Sequence, residues 1–173
     1  LPRPVNEALI VVNYLSEQIK DYFSYKFGDI HITYIDQKEF LGTANAVWKA
    51  KDMLKNEKFL VLNGDDLYNK NDLDKCIDCE LTFGIIKRIP PSDKFIAIDL
   101  GSNQNIIGCH KPNPAEAKEG IFIATGAYVL DDKIFQYKPV KLSNGEYGLP
   151  ETILKVAKDY RVKGILMTKW SQI

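Results

Sequence analysis

Lys58-Phe59-Leu60-Val61-Leu62-Asn63-Gly64-Asp65-Asp66 is the stretch that decides the fold. Phe59 to Leu62 is an unbroken apolar run, without the alternation of a half-solvated strand. Such a run predicts a strand covered on both faces, as in a sheet held between helices. It stops at Gly64-Asp65-Asp66, so the strand delivers two carboxylates to the mouth of the sheet. Working outward, Glu7 to Asn13 repeats the nearly continuous apolar pattern. Ser16 can cap a helix from Glu17 to about Tyr25, with Ile19, Tyr22 and Phe23 on one side. His31 to Ile35 reads as a second strand, and Thr43 to Leu54 as a helix with Ala46, Val47, Ala50, Met53 and Leu54 inward. Leu81 to Ile86, Phe95 to Leu100, Asn105 to Cys109 and Ile121 to Leu130 read as further strands. A short helix is expected near Asp132–Gln136, another from Pro150 to about Tyr160, and a last strand from Val162 to Thr168. Strands alternating with helices predict an α/β domain: a mixed, mostly parallel sheet with helices on both faces. Such sheets bind ligands at the carboxyl ends of their strands.

The 173 residues are enough for one well-packed domain spanning 1–173. A hydrophobic fraction of 45% and a charged fraction of 27% are ordinary for a globular chain. Twenty-three basic residues balance twenty-three acidic ones, so no overall field draws the chain to nucleic acid or an anionic membrane. No apolar run approaches the ~20 residues needed to span a bilayer. Leu1-Pro2-Arg3-Pro4 has neither the apolar core nor the cleavage site of a signal peptide. Three cysteines argue against a disulfide scaffold and for a reducing, cytoplasmic setting. Cys76 and Cys79 form a CxxC that Cys109-His110 could in principle complete as a zinc site. Adjacent ligands on an extended strand diverge, however, and Cys76 and Cys79 suit one face of a short helix.

Three motifs carry chemistry, and each has a bland alternative. Asp65 and Asp66 could hold Mg²⁺ against phosphates, with Gly64 leaving room for close approach; Gly-Asp is also a common turn. Gln37, followed by Gly42 and Thr43 at a helix start, could read a nucleobase, because an amide both donates and accepts. Alone, the same segment is a helix start with Thr43 as cap and Gln37 as a surface residue. Lys111 before Pro112 could serve as a point charge for a phosphate, or be an exposed loop lysine. His110 reads as a polar loop residue, since no paired Ser or Asp follows from its spacing.

In order, these pieces resemble the sugar-1-phosphate nucleotidyltransferases, the family of glucose-1-phosphate thymidylyltransferases and uridylyltransferases. The resemblance runs from Ile10-Val11-Val12-Asn13 through Tyr34-Ile35-Asp36-Gln37, Leu41-Gly42-Thr43-Ala44, Phe59 to Asp65, Lys111-Pro112 and Thr125-Gly126-Ala127-Tyr128 to Trp170–Ile173. It implies a Rossmann-like fold of the nucleotide-diphospho-sugar transferase type. It implies NTP and sugar-1-phosphate as substrates, uracil or thymine as the favoured base, Mg²⁺ as cofactor, and compatibility with a homo-oligomer. By the same resemblance, Asp65 and Gln172 would hold the metal, Asp65 and Lys111 would be catalytic, and Gln37, Gly42, Thr43 and Gly64 would bind nucleotide. His110, Thr125, Gly126 and Glu146 would face the sugar. The chain departs from the family pattern at several places. The opening glycine-rich loop is absent, so the domain looks truncated at both ends and unable to catalyse alone. His110 stands for an acidic residue and Gln172 for a second metal-binding Asp, and Lys94-Phe95-Ile96-Ala97 lacks the usual glycine. A non-catalytic nucleotide-sugar-binding paralogue and a guanylyl- or cytidylyltransferase of the same fold are the alternative readings.

Overall fold

Ile121 to Leu130 forms the longest strand, and its burial explains much of the rest. Tyr128 and Leu130 point into one apolar cluster while Ala127 and Val129 point into another, the two-residue period of a strand covered on both sides. The computed structural model describes Pro2, residues 5–90 and residues 95–173. Along the chain run β1 (Glu7–Val12), α1 (Ser16–Phe23), β2 (Lys26–Phe27), β3 (Ile30–Asp36), α2 (Thr43–Lys49), β4 (Phe59–Leu62), β5 (Asp66–Tyr68) and α3 (Lys70–Ile77). There follow β6 (Thr82–Arg88), β7 (Ala97–Leu100), β8 (Ile106–His110), α4 (Pro114–Glu119), β9 (Ile121–Leu130), β10 (Val140–Lys141), β11 (Tyr147–Gly148), α5 (Leu149–Val156), β12 (Lys163–Leu166) and β13 (Trp170–Gln172). Lys51–Met53 and Asp132–Gln136 are 3₁₀ turns.

The larger sheet has the order β12-β6-β9-β4 and the smaller β1-β3-β2; β5–β13, β7–β8 and β10–β11 are two-stranded ribbons. The mixed α/β class holds, but the expected predominance of parallel pairing does not, because hairpin and ribbon pairs among the described strands are antiparallel. Parallel pairing is found in β1–β3 and β12–β6, while β9 runs against both β6 and β4. Leu149, Ile153 and Val156 of α5 and Ala44 and Val47 of α2 pack on one face with Phe83, Ile85 and Leu130. On the other face, Leu73 and Cys76 of α3 pack against Ala127, Val129, Ile165 and Met167. Each fully buried Ile or Leu contributes about 1.5–3 kcal/mol.

Several expectations are corrected. β1 was expected to be covered on both faces, yet only Val12 is fully buried, because β1 pairs with β3 alone and α1 buries no residue. Ser16 does not cap α1. Leu15 takes the cap position at φ 58°, with no side-chain cap bond. α2 ends at Lys49, and the 3₁₀ turn that follows rotates Met53 outward to 51% exposure. α5 stops at Val156 rather than near Tyr160. The strand ending at Leu100 begins at Ala97, and Lys94 lies outside the described residues. No group of three or more His, Cys, Asp or Glu residues able to hold a metal ion forms among the described residues.

Candidate active site

The carboxylate end of the candidate site grows from the end of β4. Asn63 donates its N–H to Gly126 O at 3.1 Å, so the β4–β9 pairing continues until Gly64 releases the chain. Asp65 then stands exposed at the turn into β5. β13 pairs with β5 and sets Gln172 opposite Asp66. Gln172 Nε2 thereby reaches Asp65 Oδ2 at 3.3 Å, and Ile173 N–H donates to Asp65 O at 2.9 Å. Residues 107 positions apart meet at one carboxylate. The Asp65 carboxylate supplies oxygens of the kind Mg²⁺ takes, whereas Gln172 turns its amide nitrogen toward that carboxylate and would offer Mg²⁺ an oxygen only with the amide turned over. Gly64 has open space where a Cβ would project.

Asp66 lies behind Asp65 and is only 9% exposed. Its Oδ2 faces Asn63 Nδ2 at 3.1 Å and the Tyr68 hydroxyl at 3.2 Å, and that hydroxyl also lies 2.9 Å from Thr125 O. A phenol has one hydrogen and cannot donate to both oxygens. Burial raises the Asp66 pKa and the neighbouring Asp65 charge adds to the rise, while hydrogen bonds from Asn63 and Tyr68 oppose it. A proton on Asp66 would resolve the conflict by donating to Tyr68. The Trp170 indole N–H and Asp66 Oδ1 are both buried without a partner in hydrogen-bond geometry.

The sugar-side assignments at 125 and 126 need correction. Thr125 is fully buried, and its Oγ1 lies 2.6 Å from where a Cβ on Gly84 would sit, so the hydroxyl faces β6 and not an open cleft. Gly126 has φ +73°, and a Cβ there would collide with the Asn63 amide, so its glycine serves internal packing.

A cavity of about 330 Å³ opens beside α2, lined by Gln37, Phe40, Gly42, Thr43, Glu146 and Tyr147. Gly42 has φ +88°, and a Cβ would lie 2.6 Å from Tyr147 O. The two segments are stitched by Tyr147 N–H to Leu41 O at 2.7 Å. Thr43 was expected as a helix cap in the bland reading. Instead its Oγ1 accepts from Leu149 N–H at 3.0 Å, tying α2 to the start of α5. Gln37 Nε2 donates to Asn45 Oδ1 at 2.9 Å and lies 3.4 Å from Gly42 O. A backbone carbonyl only accepts, so the nitrogen must face it, and Gln37 Oε1 remains as the amide's free polar atom. The Asn13 amide donates to Gln37 O and joins the ends of β1 and β3. Glu146, expected at the sugar, lines this same cavity, with its Oε2 accepting from Asn144 Nδ2 at 3.0 Å.

Lys111 is exposed immediately after β8. His110 is not free for a sugar hydroxyl: Nδ1 lies 2.9 Å from Asp99 Oδ1 and Nε2 3.3 Å from Glu116 Oε1, which occupies both ring nitrogens. Sequence reasoning missed Asn45, Phe40, Asp99 and Glu116. Only Glu116 left a signal, since Asn113-Pro114-Ala115-Glu116 is a capping box with proline in the first turn.

The carboxylate and the cavity both lie beyond the carboxyl ends of strands, where open α/β sheets bind their ligands. The chain belongs to the nucleotidyl transferase family, whose model matches residues 3–171. It is 31% identical over 172 residues to the bifunctional protein GlmU of Methanocaldococcus jannaschii, which covers 98% of this chain and 40% of that one. It is also 31% identical over 132 residues to the D-glycero-alpha-D-manno-heptose 1-phosphate guanylyltransferase of Campylobacter jejuni, covering 76% of this chain and 58% of that one. The chain thus spans about 40% of the length of the GlmU relative. Among solved structures, a UDP-glucose pyrophosphorylase complexed with UDP-glucose superposes with TM-score 0.80 at 19% identity, covering 95% of this chain and 74% of that one. The inositol-1-phosphate CTP transferase of T. maritima superposes with TM-score 0.74 at 20% identity, covering 98% of this chain and 70% of that one.

Proposed function

We propose that this chain is the substrate-handling part of an enzyme that transfers a nucleotidyl group from an NTP, with UTP or dTTP favoured, to a sugar-1-phosphate. An oxygen of the sugar phosphate attacks the α-phosphorus in line; the new P–O bond forms as the bond to the β-phosphate breaks, giving an NDP-sugar and pyrophosphate. Chemistry of this kind asks the protein to position two anions and to offset charge. Asp65 and Gln172 would hold Mg²⁺, which when bound neutralises phosphate charge. Lys111 would hold the sugar phosphate. Gln37 would accept an N–H from the base through Oε1, which suits the imino N–H of uracil or thymine. Phe40, 70% exposed at the cavity rim, offers an aromatic face to the same base.

The observation that carries this reading is the cavity in which Gln37 and Gly42 meet Glu146 and Tyr147 from about a hundred residues downstream. The chain's membership of the nucleotidyl transferase family supports it. A second reading, guanylyl transfer, is favoured by the Campylobacter jejuni relative and by the imino N–H that guanine also offers to Gln37 Oε1. Mg²⁺-dependent pyrophosphate release from the full protein containing this chain decides between them, with glucose-1-phosphate and each of UTP, dTTP, GTP and CTP. Turnover with UTP or dTTP is expected. Preference for GTP would establish the second reading, and nucleotide-sugar binding without turnover would mark a non-catalytic paralogue.

A further inference from the structure

Asp72 sits on α3, is fully buried, and has no part in the site described above. Its Oδ2 accepts from Thr168 N–H at 2.6 Å, Thr168 Oγ1–H at 2.8 Å and Lys169 N–H at 3.3 Å, while Oδ1 meets Lys75 Nζ at 3.0 Å. Three donors from one turn converge on one oxygen of one carboxylate. We propose that Asp72 is a positioning residue for the metal end of the site: from α3 it fixes the Thr168-Lys169 turn and thereby seats Gln172 against Asp65. This rests on the reading of Asp65 and Gln172 as metal ligands given above.

The chain of contacts is short. β12 ends at Leu166, and β13 begins at Trp170, directly after the turn that Asp72 holds. Among the described residues β13 pairs with β5 alone, in a ribbon of three residue pairs. A ribbon that short is marginal by itself. Its register, and with it the approach of Gln172 Nε2 to Asp65 Oδ2, needs fixing at both ends. At the Trp170 end the ring packs with Phe95, Ala97 and Ile123. At the turn before it, the fixed partner is Asp72. A buried carboxylate is a costly way to hold a turn unless its hydrogen bonds are complete, and here they are. An apolar residue at position 72 could fill the same space between α3 and β12, but it would release the donors that aim β13.

Amide hydrogen exchange and Mn²⁺ paramagnetic broadening, both read by NMR on the full protein containing this chain, test the proposal. In Asp72→Ala the β13 amides and Ile173 N–H should exchange about tenfold or more faster, while core amides at Ile123 and Ile153 keep their protection. The Mn²⁺ concentration that half-broadens the Gln172 side-chain amide should rise about tenfold. Asp72→Asn keeps an acceptor oxygen for the turn and should restore most of both properties. Should Asp72→Ala not fold, Thr168→Val removes one of the three bonds from an exposed position and should move both readouts in the same direction by a smaller factor. Unchanged β13 exchange in Asp72→Ala, or in Thr168→Val where that variant is used, would overturn the proposal. So would equal loss of β13 and core protection, or faster β13 exchange with unchanged Mn²⁺ dependence. Absence of Mn²⁺ broadening in the unmutated chain would instead overturn the metal assignment of Asp65 and Gln172, and the exchange data alone would then decide whether Asp72 seats β13.

Discussion

At the scale of single residues, two neighbouring aspartates divide the work by burial. Asp65 is exposed at the turn and accepts hydrogen bonds from Gln172 and Ile173, whereas Asp66 is folded back beneath it against Asn63 and Tyr68. Asp65→Asn in the full protein should therefore remove most pyrophosphate release and leave thermal stability within about 0.5 kcal/mol, the usual range for surface positions. Near-normal turnover at saturating Mg²⁺ would remove Asp65 from the metal site. Gln37 is held more tightly than its sequence context implied. Gln37→Glu would set a carboxylate against Asn45 Oδ1 and Gly42 O, two acceptors, and break the contacts that orient the side chain. Lost hydrogen bonds of this kind cost about 1–3 kcal/mol, or roughly ten- to a hundredfold in UTP affinity. Asn45→Asp keeps the acceptor that Gln37 Nε2 uses and should retain the order of preference among UTP, dTTP and CTP. Asn45→Leu should blur that order, and titration calorimetry over the three nucleotides checks both. The placement of Asp65 at a strand end and of Gln37 and Gly42 before a helix was legible because short-range motifs mark it. Asn45 and Asp72 were not, because their partners are fixed only when strands and helices meet.

At the scale of the element, α4 shows how a six-residue helix can lock a loop. Asn113 Oδ1 accepts from Ala115 N–H at 2.9 Å and Glu116 N–H at 3.0 Å, and Glu116 Oε2 accepts from Asn113 N–H at 2.9 Å. The other Glu116 oxygen faces His110 Nε2 at 3.3 Å, so the cap also pins the residue before Lys111. Removing the cap with Asn113→Ala should cost about 1 kcal/mol of local stability. The Glu116 pKa is lowered, first by the Asn113 backbone N–H and then by charge and hydrogen bonding from His110, with desolvation opposing. A depressed folded-state pKa means this contribution is complete above the ordinary Glu value, near 4.5, and is lost as pH falls through the lower folded value. Exchange protection of Ala117 N–H, which donates to Asn113 O, should therefore fall as pH is lowered through the depressed Glu116 pKa. Glu116→Gln keeps an acceptor for the cap and should make that protection independent of pH over the same range. A pH dependence unchanged by Glu116→Gln would remove Glu116 as its source. In the sequence this helix was hidden by its brevity, and β5 and β13 by their three-residue lengths.

At the scale of the whole molecule, the larger elements were readable wherever one residue pattern sufficed. β9 and the 3₁₀ turn after it fall where the apolar run and its polar end predicted. What the pattern could not supply was neighbours. Phe59 to Leu62 has the composition of a doubly covered strand, yet all four residues are partly exposed, and β1 is similar. Both strands lack a partner on one edge among the described residues, since β4 pairs only with β9 and β1 only with β3. Unpaired apolar edges recruit other strands. The 173-residue chain by itself should therefore self-associate with rising concentration, as read by sedimentation velocity. The ladder identifies the side of β1 responsible. His31 N–H donates to Asn6 O and Gln37 N–H to Val12 O, so Ala8, Ile10 and Val12 turn their backbone groups toward β3. Glu7, Leu9 and Val11 turn theirs to the open edge. A proline at position 9 removes an N–H that no described partner uses, whereas one at position 10 removes an N–H from the β1–β3 ladder. Leu9→Pro should accordingly reduce association while the β3 amides stay protected from exchange. Ile10→Pro should expose the β3 amides and leave the chain at least as prone to associate. If Leu9→Pro associates as strongly as the unmutated chain, the open edge of β1 is not the surface that recruits, and the exposed edge of β4 becomes the one to block next.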